Sequence, residues 1–134
     1  MTQEEKQLLL KDLCARLPYG VIVQVKDWAT LDTELRTGHI QLLQDNEIEL
    51  KPYLRPMSSM TDEEFGFLQE HLPYDFTRIY SGKFNLIDDI HLGDSISIDD
   101  MAFLIDYLNK RHFDYRGLIE KGLAIEAPEG MYKF

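Results

Sequence analysis

Residues 99 to 111 carry two apolar stripes on one turn-repeat. Met101, Leu104, Ile105 and Leu108 recur at i, i+3, i+4 and i+7, and Phe103 and Tyr107 add a second line four apart. The spacing predicts a helix over 99–111, begun at Ser97 or Asp99 and ending with Lys110 and Arg111, where the helix dipole favours positive charge. A helix that is apolar around so much of its circumference must be covered on more than one side. The rest of the chain therefore has to supply layers around it.

Two more helices announce their starts. Thr2 with Glu5, and Thr61 with Glu64, are capping boxes in which hydroxyl and carboxylate satisfy each other's backbone N–H groups. Met60 and Phe65 flank the second box at the two staple positions. Leu10, Leu13, Cys14 and Leu17 extend the first helix over 3–17, and Pro18 stops it. Phe65, Leu68 and Leu72 carry the second over 62–72, and Pro73 ends it. Gly66 weakens that helix by about 1 kcal/mol relative to alanine. Cys14 falls on the apolar stripe and is expected to be buried, as free cysteines commonly are.

Between these helices the pattern changes to that of strands. Tyr19 to Val25 is rich in β-branched residues, with Val21, Val23 and Val25 on one face. Residues 28 to 36 fit either a helical period through Trp28, Leu31 and Leu35 or a strand from Ala29 to Leu35. His39 to Leu43 and Ile48 to Leu50 read as two strands around a turn at Gln44-Asp45-Asn46-Glu47. Lys51 to Met60, with Pro52 and Pro56, reads as a stiff connector leaving the sheet. Phe84 to Ile87 reads as a short strand. Asp114 is placed to cap a short helix through Lys121 that Gly122 ends in a left-handed conformation, and Ala124 to Ala127 as a final strand. The expected architecture is α+β: one domain, 1–134, with a small antiparallel β-sheet from residues 19 to 50 packed against about three helices. Leu13, Leu17, Val21, Val23, Phe65, Leu68, Met101, Leu104, Ile105 and Leu108 are its expected core.

Charge is distributed unevenly. Residues 61 to 100 hold ten acidic residues against Arg78 and Lys83, so this segment contributes −8 of the formal −10. Such a field repels nucleic-acid backbones and anionic lipids and attracts cationic surfaces. There is no lysine and arginine cluster of the kind that displaces counterions from DNA. No apolar run approaches the length of a membrane span. The single cysteine, Cys14, excludes an internal disulfide and suits a reducing compartment. The polar start Met-Thr-Gln-Glu-Glu-Lys is followed by no signal-peptide run. A cytoplasmic protein is expected, without direct nucleic-acid or membrane binding.

Two clusters could carry chemistry. Asp88, Asp89, His91 and Asp94, extended by Asp99 and Asp100, offer oxygen and imidazole ligands for a metal ion. Their spacing matches neither a calcium-binding hand nor a two-histidine helical pair, and the competing reading is a solvated acidic loop. His112, Asp114 and Arg116 bring a base, a carboxylate and a guanidinium together within five residues, as a candidate catalytic group. The competing reading is a helix end in which Phe113 and Tyr115 pack inward and Arg116 pairs with an acid. Nucleophile elbow, phosphate loop and dinucleotide fingerprint are all missing, and no cofactor is expected.

Two segments resemble a known group. They are Leu17-Pro18-Tyr19-Gly20-Val21 with Lys51-Pro52-Tyr53-Leu54-Arg55-Pro56-Met57-Ser58-Ser59-Met60-Thr61, and the run from Leu108 through His112-Phe113-Asp114-Tyr115-Arg116-Gly117-Leu118-Ile119-Glu120-Lys121-Gly122 to Ala124. Together they resemble small uncharacterised proteins carried by gut Bacteroidales and their phages or prophages. The resemblance covers about a third of the chain, implies a phage or mobile-element setting, and transfers no catalytic residue. The expected function is that of a non-enzymatic interaction protein contacting another protein with a basic surface. The alternatives are a metal-dependent enzyme using the Asp88–Asp94 segment, or an acidic mimic of nucleic acid.

Overall fold

The computed structural model describes residues 1–72 and 98–134. The expected strand at 84–87, the cap Ser97 and the metal candidates Asp88, Asp89, His91 and Asp94 lie outside the described residues.

Helix α1 (Gln3–Arg16) starts as its sequence demands. The Thr2 hydroxyl accepts from Glu5 N–H, and the Glu5 carboxylate accepts from Thr2 N–H. A single 3-10 turn, Leu17–Tyr19, leads through left-handed Gly20 into β1 (Ile22–Lys26). A hairpin returns the chain as β2 (Thr30–Glu34), which settles the ambiguous 28–36 stretch as a strand. Helix α2 (Thr37–Gln44) follows, then β3 (Glu49–Leu54), α3 (Asp62–His71), α4 (Ile98–Lys110) and the two-residue β4 (Ile125–Glu126). The class is α+β, and among the described residues four strands run in the order β2-β1-β3-β4 with helices against the sheet. β1 pairs antiparallel with β2 and β3, whereas β4 joins β3 in parallel. A parallel neighbour requires a long crossover, which the chain between β3 and β4 provides. Among the described residues no helix is long and apolar enough to cross a membrane.

Three expectations are corrected. Residues 39–43 are helical in α2: Ile40 and Leu43, three apart, both face the core while Leu42 is exposed. A five-residue window holds too little of either period to choose between them. The segment Lys51–Leu54 stays in the sheet as part of β3. Pro52 is tolerated there because its missing N–H faces away from β1, just ahead of the point where β4 begins to pair at Tyr53. Cys14 is exposed. The buried face of α1 comprises Leu9, Leu10, Asp12, Leu13 and Arg16, and Cys14 falls just beyond its edge.

Two apolar clusters result. One joins Leu9, Leu10 and Leu13 to Val21, Val23, Leu35, Ile40, Leu43, Leu50, Leu54 and Leu118. The other joins Met60, Phe65, Leu68 and Leu72 to Leu104, Tyr107, Leu108 and Phe113. Met60 and Phe65, the two staple residues, thus share one cluster. Of the expected core, Leu17, Met101 and Ile105 are only half-buried.

Candidate functional site

The two clusters meet where the end of β3 touches the chain leaving α4. His112 occupies a left-handed conformation, φ +63°. Phe113 N–H donates to Leu108 O at 2.9 Å and His112 N–H to Asn109 O at 3.1 Å. This is the Schellman ending of a helix, with the accompanying apolar contact made by Phe113 and Leu108, both fully buried. The chain then pairs with β3: Arg55 N–H donates to His112 O and Asp114 N–H to Arg55 O, both at 2.8 Å. The stretches 51–61 and 108–124 are therefore hydrogen-bonded to each other.

Charged side chains fill this seam. Arg55 grips Glu64 with both terminal nitrogens, at 2.7 and 2.8 Å. Its guanidinium lies 4.2 Å over the Phe113 ring and 5.3 Å over that of Phe134. Arg111 sits 4.4 Å over Phe134 and 3.8 Å from Glu64. Burial acts to raise the Glu64 pKa, but Arg55 and the Thr61 N–H outweigh it and hold the carboxyl below its ordinary value. Deeper in, Arg16 is 0% exposed. It donates to Asp12 at 2.8 and 3.1 Å and to the Phe113 carbonyl at 2.6 Å.

The sequence-predicted catalytic candidates each serve a different partner. Both Asp114 oxygens accept backbone N–H groups, from Leu118 at 2.8 Å and Ile119 at 3.0 Å, and so brace the turn that Gly122 closes at φ +74°. That turn is too short to form the expected helix, yet its start and stop residues act as read. Arg116 donates to the Tyr115 hydroxyl at 3.1 Å and approaches Asp12 at 3.6 Å. His112 is 4% exposed and stacks on Tyr132 at 4.0 Å. Its Nδ1 has no hydrogen-bond partner. Burial, then the nearby Arg16 and Arg55, push its pKa down to about 4, so the imidazole is neutral at pH 7.

Tyr132 was not singled out in the sequence. Its hydroxyl accepts from Ile22 N–H at 2.9 Å and donates to Tyr53 O at 2.7 Å. It bridges β1 and β3 where the ladder stops at Val23–Pro52. Burial raises its pKa to about 12. Beside it lies a cleft of about 460 Å³, lined by Arg55, Ser59, Thr61, Glu126, Tyr132 and Phe134 among others. Among the described residues, no group of three or more His, Cys, Asp and Glu side chains gathers for a metal. Asp99 and Asp100 fall in the first turn of α4.

The opposite edge of the sheet is of a different character. The β1–β2 loop is Asp27-Trp28-Ala29, closed by Asp27 N–H to Ala29 O at 3.2 Å and Ala29 N–H to the Asp27 carboxylate at 2.9 Å. This turn displays Trp28, which is 95% exposed, and beyond it Leu31, 63% exposed. The chemistry of the seam is cohesive, whereas the hairpin presents apolar surface outward. The arrangement defines an α+β protein with a polar-stitched seam and a hairpin that exposes Trp28 and Leu31. No known family, curated protein or solved structure matches the chain.

Proposed function

We propose that this is a non-enzymatic interaction protein, of phage or mobile-element origin, that docks another cytoplasmic protein on the β1–β2 hairpin. The observation that carries this reading is the 95% exposure of Trp28 on a hydrogen-bonded turn. Tryptophan is among the residues that dominate binding energy at protein interfaces, where a buried indole contributes about 2 kcal/mol or more. A side chain with few rotatable bonds, held on a paired hairpin, loses little entropy on docking. The formal charge of −10 supports a partner with a basic surface, drawn in by long-range attraction.

The test uses immobilised wild-type protein and Trp28→Ala against host cytosol, followed by rebinding of any retained protein in purified form. The reading expects a partner that Trp28→Ala loses and that shifts the fluorescence of Trp28, the only tryptophan in the chain. Purified partners that bind both forms equally would overturn it, as would repeated failure to retain any.

A further inference from the structure

Among the described residues β2 is the terminal strand of the sheet. Its pairing with β1 runs without a bulge from Ile22–Glu34 to Lys26–Thr30. Leu35 N–H donates to Val21 O at 2.9 Å, so alternate residues Leu35, Thr33 and Leu31 turn their backbone groups toward β1. The N–H and C=O groups of Thr30, Asp32 and Glu34 therefore point outward. Among the described residues nothing pairs with them. Natural edges are normally blunted by charged side chains, above all lysine, by proline or by a bulge; β2 has no lysine, proline or bulge, and its charges, Asp32 and Glu34, are both acidic.

Side-chain chemistry selects the occupant. Thr30, Asp32 and Glu34 share one face, and Leu31 and Thr33 share the other. All but Thr33 are exposed. Asp32 accepts from the Tyr53 hydroxyl at 2.8 Å, which fixes its carboxylate on that face. Lys26 lies opposite Thr30 on this face at the loop end, with Glu49 on its other side, so the acidic stretch is Asp32 to Glu34. A second copy of this chain is a poor occupant: antiparallel pairing centred on Asp32 sets Asp32 against Asp32, between molecules each carrying −10. A strand alternating basic and apolar residues fits both faces, with cations toward Asp32 and Glu34 and apolar groups toward Leu31.

Building on the hairpin-docking reading, we infer that the outer edge of β2 accepts an extended basic segment of the partner as a fifth strand. The probe is a blocked hexapeptide alternating lysine and valine, compared with its glutamate–valine counterpart and with a copy N-methylated on the backbone. Full-length protein is followed by Trp28 fluorescence and by amide exchange at Thr30, Asp32 and Glu34. The lysine peptide is expected to slow exchange at all three amides and to bind at least about tenfold more tightly than either control. Asp32→Pro removes an outward N–H together with the carboxylate that accepts from Tyr53, and should cost at least about tenfold in peptide affinity. Asp32→Lys with Glu34→Lys should reverse the preference between the two charged peptides, which keeps the test decisive even if the proline disturbs the edge. Equal binding of all three peptides, or unchanged exchange at the three amides, overturns strand addition. A purified partner lost by Trp28→Ala but bound undiminished by Asp32→Pro overturns strand addition while leaving hairpin docking in place. Peptide protection with no Trp28-dependent partner does the reverse.

Discussion

Replacing Arg16 with methionine removes a guanidinium with no solvent exposure and leaves its partners in place. Asp12 loses two hydrogen bonds, at 2.8 and 3.1 Å, and the Phe113 carbonyl loses one at 2.6 Å. Deleting one partner of a buried ion pair costs about 3–5 kcal/mol, because the remaining charge stays out of water. The carbonyl adds to this, since an unsatisfied buried acceptor costs roughly 1–3 kcal/mol. Arg116, 3.6 Å from Asp12, can move closer and recover part of the loss. The net expectation is a destabilisation of about 3–5 kcal/mol, which for a chain of this size lowers Tm by roughly 10–20 °C. Urea unfolding measures it, with an unchanged slope showing that the unfolded state is comparable. The double variant Asp12→Leu with Arg16→Met removes both charges and should be less damaged than Arg16→Met alone by at least about 1 kcal/mol. A loss below about 1 kcal/mol for Arg16→Met, or a double variant equal to the sum of the two singles, refutes the claim that this pair matters as a buried unit.

Three further outcomes follow from the same geometry. His112 has a folded pKa of about 4 against an ordinary 6.5, so stability is fully present above pH 6.5 and declines as pH falls toward 4, by an amount on the order of 2–3 kcal/mol. Asn tolerates φ +63° and does not titrate, so His112→Asn should flatten the Tm-against-pH curve in that window, and an unchanged slope would count against His112 as its source. Tyr132→Phe strips the bridge between Ile22 N–H and Tyr53 O and should cost about 1–3 kcal/mol, with faster amide exchange at Ile22; a neutral result sinks the bridging role. Exposed Cys14 should react completely with a thiol reagent in native buffer, at a rate that denaturant scarcely changes; protection until unfolding would restore the buried reading.

Local chemistry was the legible part of this chain. Both capping boxes form as their spacing requires, because they involve only groups three residues apart. Gly122 and Asn46 adopt left-handed conformations at turn positions, where few other residues do so without strain. The stripe through Leu104 and Leu108 lies in the core. What misled were short segments whose periodicity is balanced. His39–Leu43 could alternate or wind, and contact with the core selected the winding. Pro52 suggested an exit from the sheet, but a proline obstructs a strand only when its nitrogen faces a partner. Arg16 and Asp12 lengthen the buried face of α1 with charged residues, and their placement displaced Cys14 to the surface.

By itself the amino-acid order determined where α1 and α3 begin, the α+β class, and the excess of negative charge, since these depend on neighbours within a turn or on composition. Tertiary structure alone decided which charges go inside, the order of the described strands, and which large side chain is left facing out. Arg16 is buried because Asp12 and a carbonyl 97 residues away meet it there. Trp28 is exposed because no described layer reaches over its turn. Such outcomes rest on distances between remote parts of the chain, and a sequence read along its length holds those distances only implicitly.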